Sequence, residues 1–266
     1  MSATRELVHT DLTEHVLTIT MDRPEARNAL SRQMVAELGA AFARLDDDAD
    51  CWVAVLQAEG PTFCAGADLK EALSSQPESA ATTPPSPDKA RRSSSVISQH
   101  RKPVIGCVEG QAWAGGLEML LSCDLIVAST AATFALSEVK RGLLAIGGGL
   151  FRLPRRLPPA IAMEMILTGA PQPASAMKDH GLINRLAEPG DVRRQARELA
   201  LLIAANSPVA VQAALAVTAT SIAESWTDLE GFAGQREPFS TVRASEDFIE
   251  GLRAFSEKRN PAWMGR

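Results

Sequence analysis

Hydrophobic and polar positions alternate near the start of the chain and then change to a helical period. Residues 14–21 alternate between polar and apolar side chains, which predicts a strand, and Asp22, Arg23 and Pro24 follow as a turn signal. We expect a helix to begin at Asn28, because apolar side chains recur every three or four residues over positions 30–45. The chain is therefore predicted to open with a strand, a turn and a helix.

Short apolar runs follow, each too brief for a helix and therefore predicted as buried strands. They cover residues 52–56, 104–108 and 125–128. Residues 115–122, which lie between the last two runs, have a helical pattern instead. Strands and helices that alternate in this way are typical of a mainly parallel sheet backed by helices. The first part of the chain is thus predicted to be α/β.

Beyond Asp191 the apolar pattern is helical throughout. The predicted helices cover residues 193–205, 208–220, 224–232 and 245–257. We therefore divide the chain into a core, residues 1–195, and a helical C-terminal region, residues 196–266.

The composition changes sharply only over residues 74–95, which carry four prolines in a polar background. A segment of this composition and length predicts a mobile loop. Its position after a motif of small residues leaves two interpretations open. The segment is either a disordered insertion or a lid that closes over a bound ligand.

Composition and charge exclude several classes of function. The net charge of −5 gives the protein no general attraction to nucleic acid or to an anionic membrane. Aromatic residues make up only 5% of the chain and tyrosine is absent, which argues against a platform for base stacking. No apolar run is long enough to span a bilayer. Any phosphate group must therefore be bound by local features.

Cysteine and histidine positions argue against disulfides, metal sites and a histidine base. The four cysteines form no C-x-x-C pair, and the four histidines never stand at ligand spacing. Charged residues also interrupt the first twenty positions, which leaves no apolar stretch for export. We therefore expect buried free thiols, a cytoplasmic location and no metal.

Two motifs of small residues could let a ligand reach the backbone. Residues 62–69 read TFCAGADL and place Asp68 where a helix could begin. Residues 110–119 read GQAWAGGLEM and place Glu118 in the first turn of an apolar helix, where free N–H groups would face an anion. Each motif also has an ordinary interpretation, as a capped helix or as an acid favoured by the helix dipole.

A second carboxylate follows a strand-like run. Residues 134–139 read FALSEV, and Glu138 stands near its end, followed by Gly142 and by three glycines at 147–149. On its own this run would be interpreted as the edge of a strand. A nearby basic cluster, Arg152, Arg155 and Arg156, is interpreted as the surface of a helix end and is not assigned to a ligand.

In this order, the three segments resemble the enoyl-CoA hydratase/isomerase family, also called the crotonase superfamily. The resemblance extends from about Val16 to the C-terminus and includes RPEARNAL at residues 23–30, which is similar to the family's first CoA-contacting turn. It implies a crotonase (ClpP-like) spiral of strand-strand-helix repeats. It also implies a C-terminal helical region that builds trimers, which would pair as hexamers, and an acyl-CoA substrate with no further cofactor.

The resemblance also implies a role for individual residues. The amides of Ala67 and Gly115 would form an oxyanion hole, and Glu118 and Glu138, twenty residues apart, would be the two catalytic carboxylates. The residues expected to contact the CoA part of the substrate are Ala26, Arg27, Ala65, Gly66, Ala67, Asp68, Leu69, Phe239 and Lys258.

The chemistry of water addition to an enoyl thioester needs the same groups. Negative charge develops on the thioester oxygen, and two aimed amides stabilise that enolate. A base must activate water and an acid must protonate the α-carbon, which two carboxylates in different environments can do. We therefore expect an enoyl-CoA hydratase that converts a 2-enoyl-CoA reversibly into a 3-hydroxyacyl-CoA.

The alternatives depend on where the match is weaker. Ala145-Ile146 stands where hydratases of the family carry Pro-Gly, so we expect added bulk at the acyl pocket or its water site. The segments FRLPRRLPPAI and EKRNPAWMGR resemble carnitinyl-CoA dehydratases instead. An enoyl-CoA isomerase and a silent CoA-binding scaffold stay open as alternatives. The sequence contains no G-x-S-x-G motif, which argues against a serine hydrolase, and no G-x-G-x-x-G motif, which argues against a dehydrogenase.

Overall fold

The computed structural model describes residues 5–74 and 100–266 of the 266-residue chain. The loop predicted over residues 74–95 lies outside the described residues, apart from Ser74.

A β-hairpin opens the fold. Strand β1, Val8–Thr13, pairs antiparallel with β2, Val16–Met21. The two residues between them, Glu14 and His15, both have positive φ angles, of 52° and 63°, which suits a tight two-residue hairpin. The sequence predicted β2 but not β1, because most side chains of β1 are exposed and do not form an apolar pattern.

The turn after β2 differs from the prediction. A short 3₁₀ helix, Pro24–Ala26, comes first, and helix α1 begins only at Arg32, with the Ser31 side chain accepting a hydrogen bond from Met34. The expectation that a helix begins at Asn28 is wrong. Asn28 has a positive φ of 50°, and its buried amide bonds to other backbone groups of the turn and the next strand, so it cannot continue a helix.

The remaining strands form two sheets. The larger sheet adds β3, Val53–Ala58, β5, Val104–Val108, β7, Leu125–Ser129, and β10, Arg185–Ala187, in the order β1-β2-β3-β5-β7-β10. Every neighbouring pair except β1 and β2 is parallel. Strands β3, β5 and β7 confirm the three predicted buried strands.

The smaller sheet consists of β4, Thr62–Cys64, β6, Gln111–Trp113, β8, Thr133–Ala135, and β9, Gln172–Pro173, in the order β4-β6-β8-β9. Pairs β4–β6 and β6–β8 are parallel. Each sheet thus receives one strand from each of three successive turns of the chain.

A helical segment closes each turn of this spiral. These segments are α2, Leu69–Ser74, α3, Gly115–Leu120, and a 3₁₀ helix, Glu138–Arg141. Neighbouring turns approach closely at Gly116, where a methyl group would collide with the Cys64 carbonyl oxygen. The repeat of strand, strand and helix confirms the α/β spiral expected from the sequence.

Four helices surround the sheets after the last turn. They are α4, Gly149–Arg156, α5, Pro159–Thr168, α6, Ala174–Asp179, and α7, Val192–Ala204. Helix α7 buries Val192, Ala196 and Ala200 against the larger sheet. Helix α1, Arg32–Asp47, buries its apolar face in the main core between the sheets. The larger sheet is therefore covered on both faces.

The chain ends in four helices: α8, Pro208–Glu224, α9, Asp228–Gly234, α10, Arg236–Ala244, and α11, Glu246–Glu257. The predicted start of a helix at residue 224 is wrong, because Ser225 ends α8 in a left-handed conformation and a capping box at Thr227 begins α9. Helix α10 was not predicted. The division after residue 195 falls inside α7 and stays a prediction.

Among residues 5–74 and 100–266, no single helix is both long and apolar enough to cross a membrane. Helices α7 and α8 reach that length and composition only as a pair, and the pair is bent by 104°.

Candidate active site

The segment after β4 is held by the turn that follows β2. The Leu30 N–H donates to the Gly66 carbonyl at 2.8 Å, and the Asp68 N–H donates to the Leu30 carbonyl at 3.1 Å. Leu30 and Ala67 are therefore paired as in a parallel bridge. Because Leu30 bonds to the residues on either side of Ala67, the N–H of Ala67 itself points away from Leu30.

The amide of Gly115 lies beside that of Ala67. A methyl group on Gly66 would lie 3.1 Å from the Gly115 nitrogen, and one on Gly115 would lie 3.7 Å from the Ala67 nitrogen. Gly115 is the first residue of α3, where a helix leaves its N–H without an internal partner. In the described part of the chain, no acceptor pairs with either amide. Two adjacent backbone donors are thus available to one ligand atom.

The residue before Gly115 has an unusual conformation. Ala114 has φ 51° and ψ −126°, a backbone conformation that residues other than glycine rarely adopt. Its N–H donates to the Ala135 carbonyl at 2.8 Å, which fixes the turn to β8. This conformation directs the chain from β6 into α3 and sets the direction of the Gly115 amide.

Glu118 is buried, with 7% of its surface exposed, and lies against the start of α4. Its Oε1 accepts a hydrogen bond of 2.9 Å from the Gly149 N–H, and the amides of Gly147 and Gly148 also stabilise the carboxylate. Burial raises the pKa of Glu118, while these amides and the Arg152 guanidinium oppose that rise. The ionised form of Glu118 therefore has several favourable partners.

Glu138 has a different environment. It begins the short 3₁₀ helix, and its Oε2 is buried without a hydrogen-bond partner among the described residues. Burial raises the pKa of Glu138 to about 7, and the negative charge of Glu118 adds to the rise. The backbone N–H of Glu138 and the Arg141 guanidinium oppose it only in part. This carboxyl group therefore keeps its proton to a higher pH than an ordinary glutamate does.

The two carboxyl groups act on one another. The charge of Glu118 raises the pKa of Glu138. The two groups are therefore coupled: when Glu118 is ionised, Glu138 keeps its proton to higher pH, and the pair then holds one proton. Two carboxyl groups whose environments separate their pKa values can supply a base and an acid at the same pH. The arrangement is therefore suited to acid–base chemistry.

The Asp68 side chain forms the cap of a helix. Its Oδ1 accepts hydrogen bonds from the N–H groups of Lys70 and Glu71 at 3.1 and 3.2 Å, and its Oδ2 lies 2.8 Å from Arg23. The hydrogen bond from Arg23 lowers the pKa of Asp68. The ordinary interpretation of this motif as a capped helix is therefore confirmed, and only the backbone of Asp68 is left to face a ligand.

The structure brings most predicted CoA-contacting residues together. The Ala65 N–H donates to the Arg27 carbonyl at 3.1 Å, so the turn at residues 23–30 lies directly against the segment at residues 64–68. Arg27 is exposed in a left-handed conformation, and no partner of its guanidinium is found among the described residues. Ala26 is half-buried and Leu69 is exposed beside this turn.

Phe239 and Lys258 lie apart from this cluster. Phe239 is exposed on α10, which packs against α8, α9 and α11. Lys258 is exposed at the end of α11, where it has a left-handed conformation. Neither residue is brought to the two amides by the contacts of its own chain.

The basic cluster on α4 differs from the sequence interpretation. Arg156 is largely buried and donates to the Cys123 carbonyl at 2.7 Å, while Arg152 donates to the Gly147 carbonyl at 2.9 Å. Describing all three arginines as a helix-end surface is therefore wrong, and only Arg155 is exposed. Helix α4 starts against Glu118, which turns two of its arginines inward.

Ile146, which was expected to add bulk at the acyl pocket, is 75% exposed. It stands between buried Ala145 and the glycines that hold Glu118. Leu143 and Leu144 are exposed in the same segment. These side chains form an uncovered apolar edge in the segment that links Glu138 to the glycines at residues 147–149. The expected effect of Ile146 on the pocket stays a prediction.

Sequence reasoning missed two parts of the site. The first is the role of Gly147, Gly148 and Gly149 as partners of Glu118, for which the run of three glycines was the available signal. The second is Asn28, whose side chain holds the turn by bonding to Arg23 and to Thr62. An asparagine after a proline turn was the signal there.

Metal ligation was tested on the described residues. Across residues 5–74 and 100–266, no three His, Cys, Asp or Glu side chains are close enough to hold a metal ion. The prediction that the chemistry needs no metal stays a prediction.

A spiral that places two free backbone amides near two buried carboxyl groups is typical of enzymes that stabilise an oxyanion while moving protons. The chain belongs to the enoyl-CoA hydratase/isomerase family, whose model matches residues 11–266, and it is an enzyme of that family. The family membership inferred from the sequence is therefore confirmed.

Individual relatives match along almost the whole chain. The carnitinyl-CoA dehydratase of Escherichia coli O157:H7 is 36% identical over 98% of this chain and 99% of its own. The enoyl-CoA hydratase EchA19 of Mycobacterium tuberculosis is 39% identical over 95% and 94%. A crystal structure of an enoyl-CoA hydratase from Mycobacterium tuberculosis H37Rv superposes with a TM-score of 0.88 at 40% identity, covering 98% and 100% of the two chains.

Proposed function

We propose that the protein is an enoyl-CoA hydratase, which adds water reversibly to a 2-enoyl-CoA thioester and forms a 3-hydroxyacyl-CoA. Coenzyme A is part of the substrate, and no other cofactor or metal takes part. The observation that supports this proposal most strongly is the difference between Glu118 and Glu138. One carboxylate is stabilised by three amides, whereas the other has a pKa near neutrality.

The two carboxyl groups divide the proton transfers. Glu118, ionised and oriented by the Gly149 N–H, accepts a proton from water as the water oxygen bonds to C3 of the enoyl group. Electrons move to the thioester oxygen, where the Ala67 and Gly115 amides stabilise the enolate. Protonated Glu138 then gives its proton to C2, and the thioester carbonyl re-forms. Dehydration follows the same steps in reverse.

The substrate's CoA part is placed along the cluster around Arg27. Its guanidinium is a suitable partner for phosphate, because it is exposed and charged. The backbone of residues 65–69 and the small side chain of Ala26 complete this surface. Phe239 and Lys258 contact the CoA of a neighbouring subunit, which is consistent with their exposure.

The helical region after residue 195 assembles the chain into trimers, and the trimers pair as hexamers. Large apolar side chains on α9, α10 and α11 support this part of the proposal, since they are exposed in a single chain. They include Leu229, Phe232, Phe239, Leu252 and Phe255. A cytoplasmic location completes the proposal, because all four cysteines are buried free thiols.

A second candidate is a carnitinyl-CoA dehydratase-like activity, for which the same groups would act on a charged acyl chain. The full-length similarity to the carnitinyl-CoA dehydratase of Escherichia coli O157:H7 favours it. The apolar edge formed by Leu143, Leu144 and Ile146 argues for an uncharged acyl chain instead. We therefore place this candidate second.

The experiment that tests the proposal follows the loss of enoyl absorbance with crotonyl-CoA, a longer enoyl-CoA and crotonobetainyl-CoA. We expect turnover of an uncharged substrate by the wild type. In Glu118→Gln and Glu138→Gln we expect a loss of roughly 10²- to 10⁴-fold, the usual contribution of general acid–base catalysis. Glu164→Gln is the matched control, because Glu164 is exposed on α5.

Each outcome has a distinct meaning. Preference for crotonobetainyl-CoA would replace the first candidate by the second. Conversion of a 3-enoyl-CoA to a 2-enoyl-CoA without hydration would identify an isomerase. Binding of butyryl-CoA without any turnover would identify a silent scaffold and refute the proposal.

A further inference from the structure

We propose that Arg152 is a positioning residue for this reaction: it holds the three-glycine turn that binds Glu118 and favours the ionised form of that carboxylate. The inference rests on the proposed function, because it assigns a task to Glu118 as the base. Arg152 itself does not touch the substrate in this account. It acts through the turn at residues 147–149.

Arg152 contacts that turn directly. The Arg152 Nη1 donates to the Gly147 carbonyl at 2.9 Å, which leaves the N–H groups of the turn directed to the other side. Gly148 has a φ of +113°, and a methyl group there would collide with the Arg152 guanidinium. The positive φ angle favours glycine here, and a larger residue would also push the guanidinium away.

The same turn contacts Glu118. The Gly149 N–H donates to Glu118 Oε1 at 2.9 Å, and Gly149 also begins α4, the helix that carries Arg152. One side of the turn is thus bound by the arginine and the other by the glutamate. A shift of the turn would change the direction of the Glu118 carboxylate.

The charge around Glu118 also depends on Arg152. Arg152 is the cation that lowers the pKa of Glu118, and Glu138 is the nearby acid, with Arg141 acting on Glu138. Strands β4 and β6 also pack against α3, yet they contain no Asp, Glu, His, Lys or Arg. Arg155, the next arginine of α4, is exposed and acts on Arg152 by repulsion. Removing Arg152 therefore removes the main positive charge near the base.

The test compares Arg152→Gln and Arg152→Lys with the wild type, and uses Arg155→Gln as the matched control on the same helix. We expect Arg152→Gln to lower kcat by roughly tenfold to hundredfold with little change in KM, the cost of a misplaced catalytic group. We also expect the acid limb of its pH profile to move to higher pH, because Glu118 loses the charge that favours ionisation.

Arg152→Lys keeps the charge but loses the planar fork, so its acid limb should stay near that of the wild type while kcat falls less. Arg155→Gln should change neither quantity by more than about twofold, since Arg155 is exposed and does not contact the turn. A merely structural Arg152 would lower kcat in both Arg152 variants without moving the acid limb. That result, or wild-type kcat in Arg152→Gln, would overturn the inference.

A second readout does not depend on turnover. The carboxyl carbon of Glu118 can be titrated by carbon-13 NMR in the full-length protein, with Glu118→Gln used to assign the signal. We expect the pKa of Glu118 to rise in Arg152→Gln and to stay nearly unchanged in Arg155→Gln. An unchanged pKa would refute the inference, whereas a wild type that titrates as expected but hydrates no enoyl-CoA would refute only the proposed function. If Arg152→Gln does not fold, Arg152→Met, which also removes the charge, takes its place in both measurements.

Discussion

The two halves of the candidate active site, one around Glu118 and one around Glu138, surround a glutamate carboxyl group with different partners. Around Glu118, the start of α4 supplies the Gly149 N–H and its two neighbours to the carboxylate. Around Glu138, a 3₁₀ helix buries one carboxyl oxygen and provides it with no partner among the described residues. Both groups are desolvated, yet Glu118 is compensated by the amides of the glycine turn, whereas one oxygen of Glu138 has no partner among the described residues.

In the proposed mechanism, this difference gives one fold a base and an acid from two glutamates. Burial alone raises the pKa of a carboxyl group, and hydrogen bonds to the ionised form lower it. Burial is the largest effect on both groups and raises both pKa values. At Glu118 the glycine amides and Arg152 oppose it, whereas the pKa of Glu138 reaches about 7. In the proposed mechanism, the amides at residues 147–149 therefore help to keep the base ionised.

The largest effect should come from removing both carboxylates. We expect Glu118→Gln and Glu138→Gln each to lower kcat by roughly 10²- to 10⁴-fold. The double variant should lose less than about tenfold more than the worse single variant, because groups that act as a unit are strongly non-additive. Measurement of kcat in all four proteins tests this. Losses that multiply would show that the two glutamates act independently.

The next largest effect should come from the Ala67 and Gly115 amides, which the proposed mechanism uses together with both glutamates. Gly115→Ala should lower kcat by roughly 10²- to 10³-fold, because a methyl group there would lie 3.4 Å from the Gly66 Cα and 3.7 Å from the Ala67 nitrogen and would crowd the space beside both donors. Gly39→Ala is the matched control. Gly39 lies in α1 with nothing within 4 Å of the added methyl group, and it should keep full activity. Equal activity of the two variants would contradict the role of Gly115.

The pH dependence should reveal the half around Glu138. Because its pKa is about 7, the acid loses its proton as the pH rises through that value. We therefore expect kcat/KM for hydration to fall above about pH 7. A pH profile with an enoyl-CoA substrate measures this directly. Activity that increases through pH 7 would mean that Glu138 works in its ionised form.

Stability should depend on the same carboxyl group. Folded Glu138 holds its proton to about pH 7, whereas the unfolded chain releases it near the ordinary value of 4.5. The wild type should therefore lose stability as the pH rises from about 4.5 to about 7, and Glu138→Gln should not share that loss. We expect the variant to raise the Tm more at pH 8 than at pH 4.5. The same Tm difference at both pH values would contradict the assignment.

The smallest effect should come from the apolar edge formed by Leu143, Leu144 and Ile146. Ile146 is mostly exposed, so Ile146→Ala should leave the Tm nearly unchanged. If the edge borders the acyl chain, the ratio of kcat/KM for a longer enoyl-CoA over crotonyl-CoA should fall by roughly tenfold or more. Kinetics with both substrates give this ratio. An unchanged ratio would show that Ile146 does not select the acyl group.

The sequence predicted the parts of this arrangement that depend on local pattern. Strands β3, β5 and β7 are continuous apolar runs, and the two small-residue motifs were recognisable from their composition. The 3₁₀ helix at Glu138 was less visible. The sequence of residues 134–139 has a strand-like pattern, but strand β8 ends at Ala135 and Glu138 begins the 3₁₀ helix.

Contacts between distant parts of the chain could not be predicted. Glu118 and Gly149 are 31 residues apart, and no local pattern indicates that one caps the helix of the other. The same holds for Arg152 and Arg156, whose charges suggested a surface although their partners are buried backbone carbonyls. Asn28 was mistaken for a helix start because its partners lie on β4 and in the turn before it.

The most direct test of the central claim is the incorporation of oxygen from water. Crotonyl-CoA is incubated in oxygen-18-labelled water with the wild type, Glu118→Gln or Glu138→Gln, and the product is analysed by mass spectrometry. We predict 3-hydroxybutyryl-CoA with one heavy oxygen from the wild type and almost none from either variant. Labelled product formed at the wild-type rate by either variant, or no labelled product from the wild type, would contradict the account.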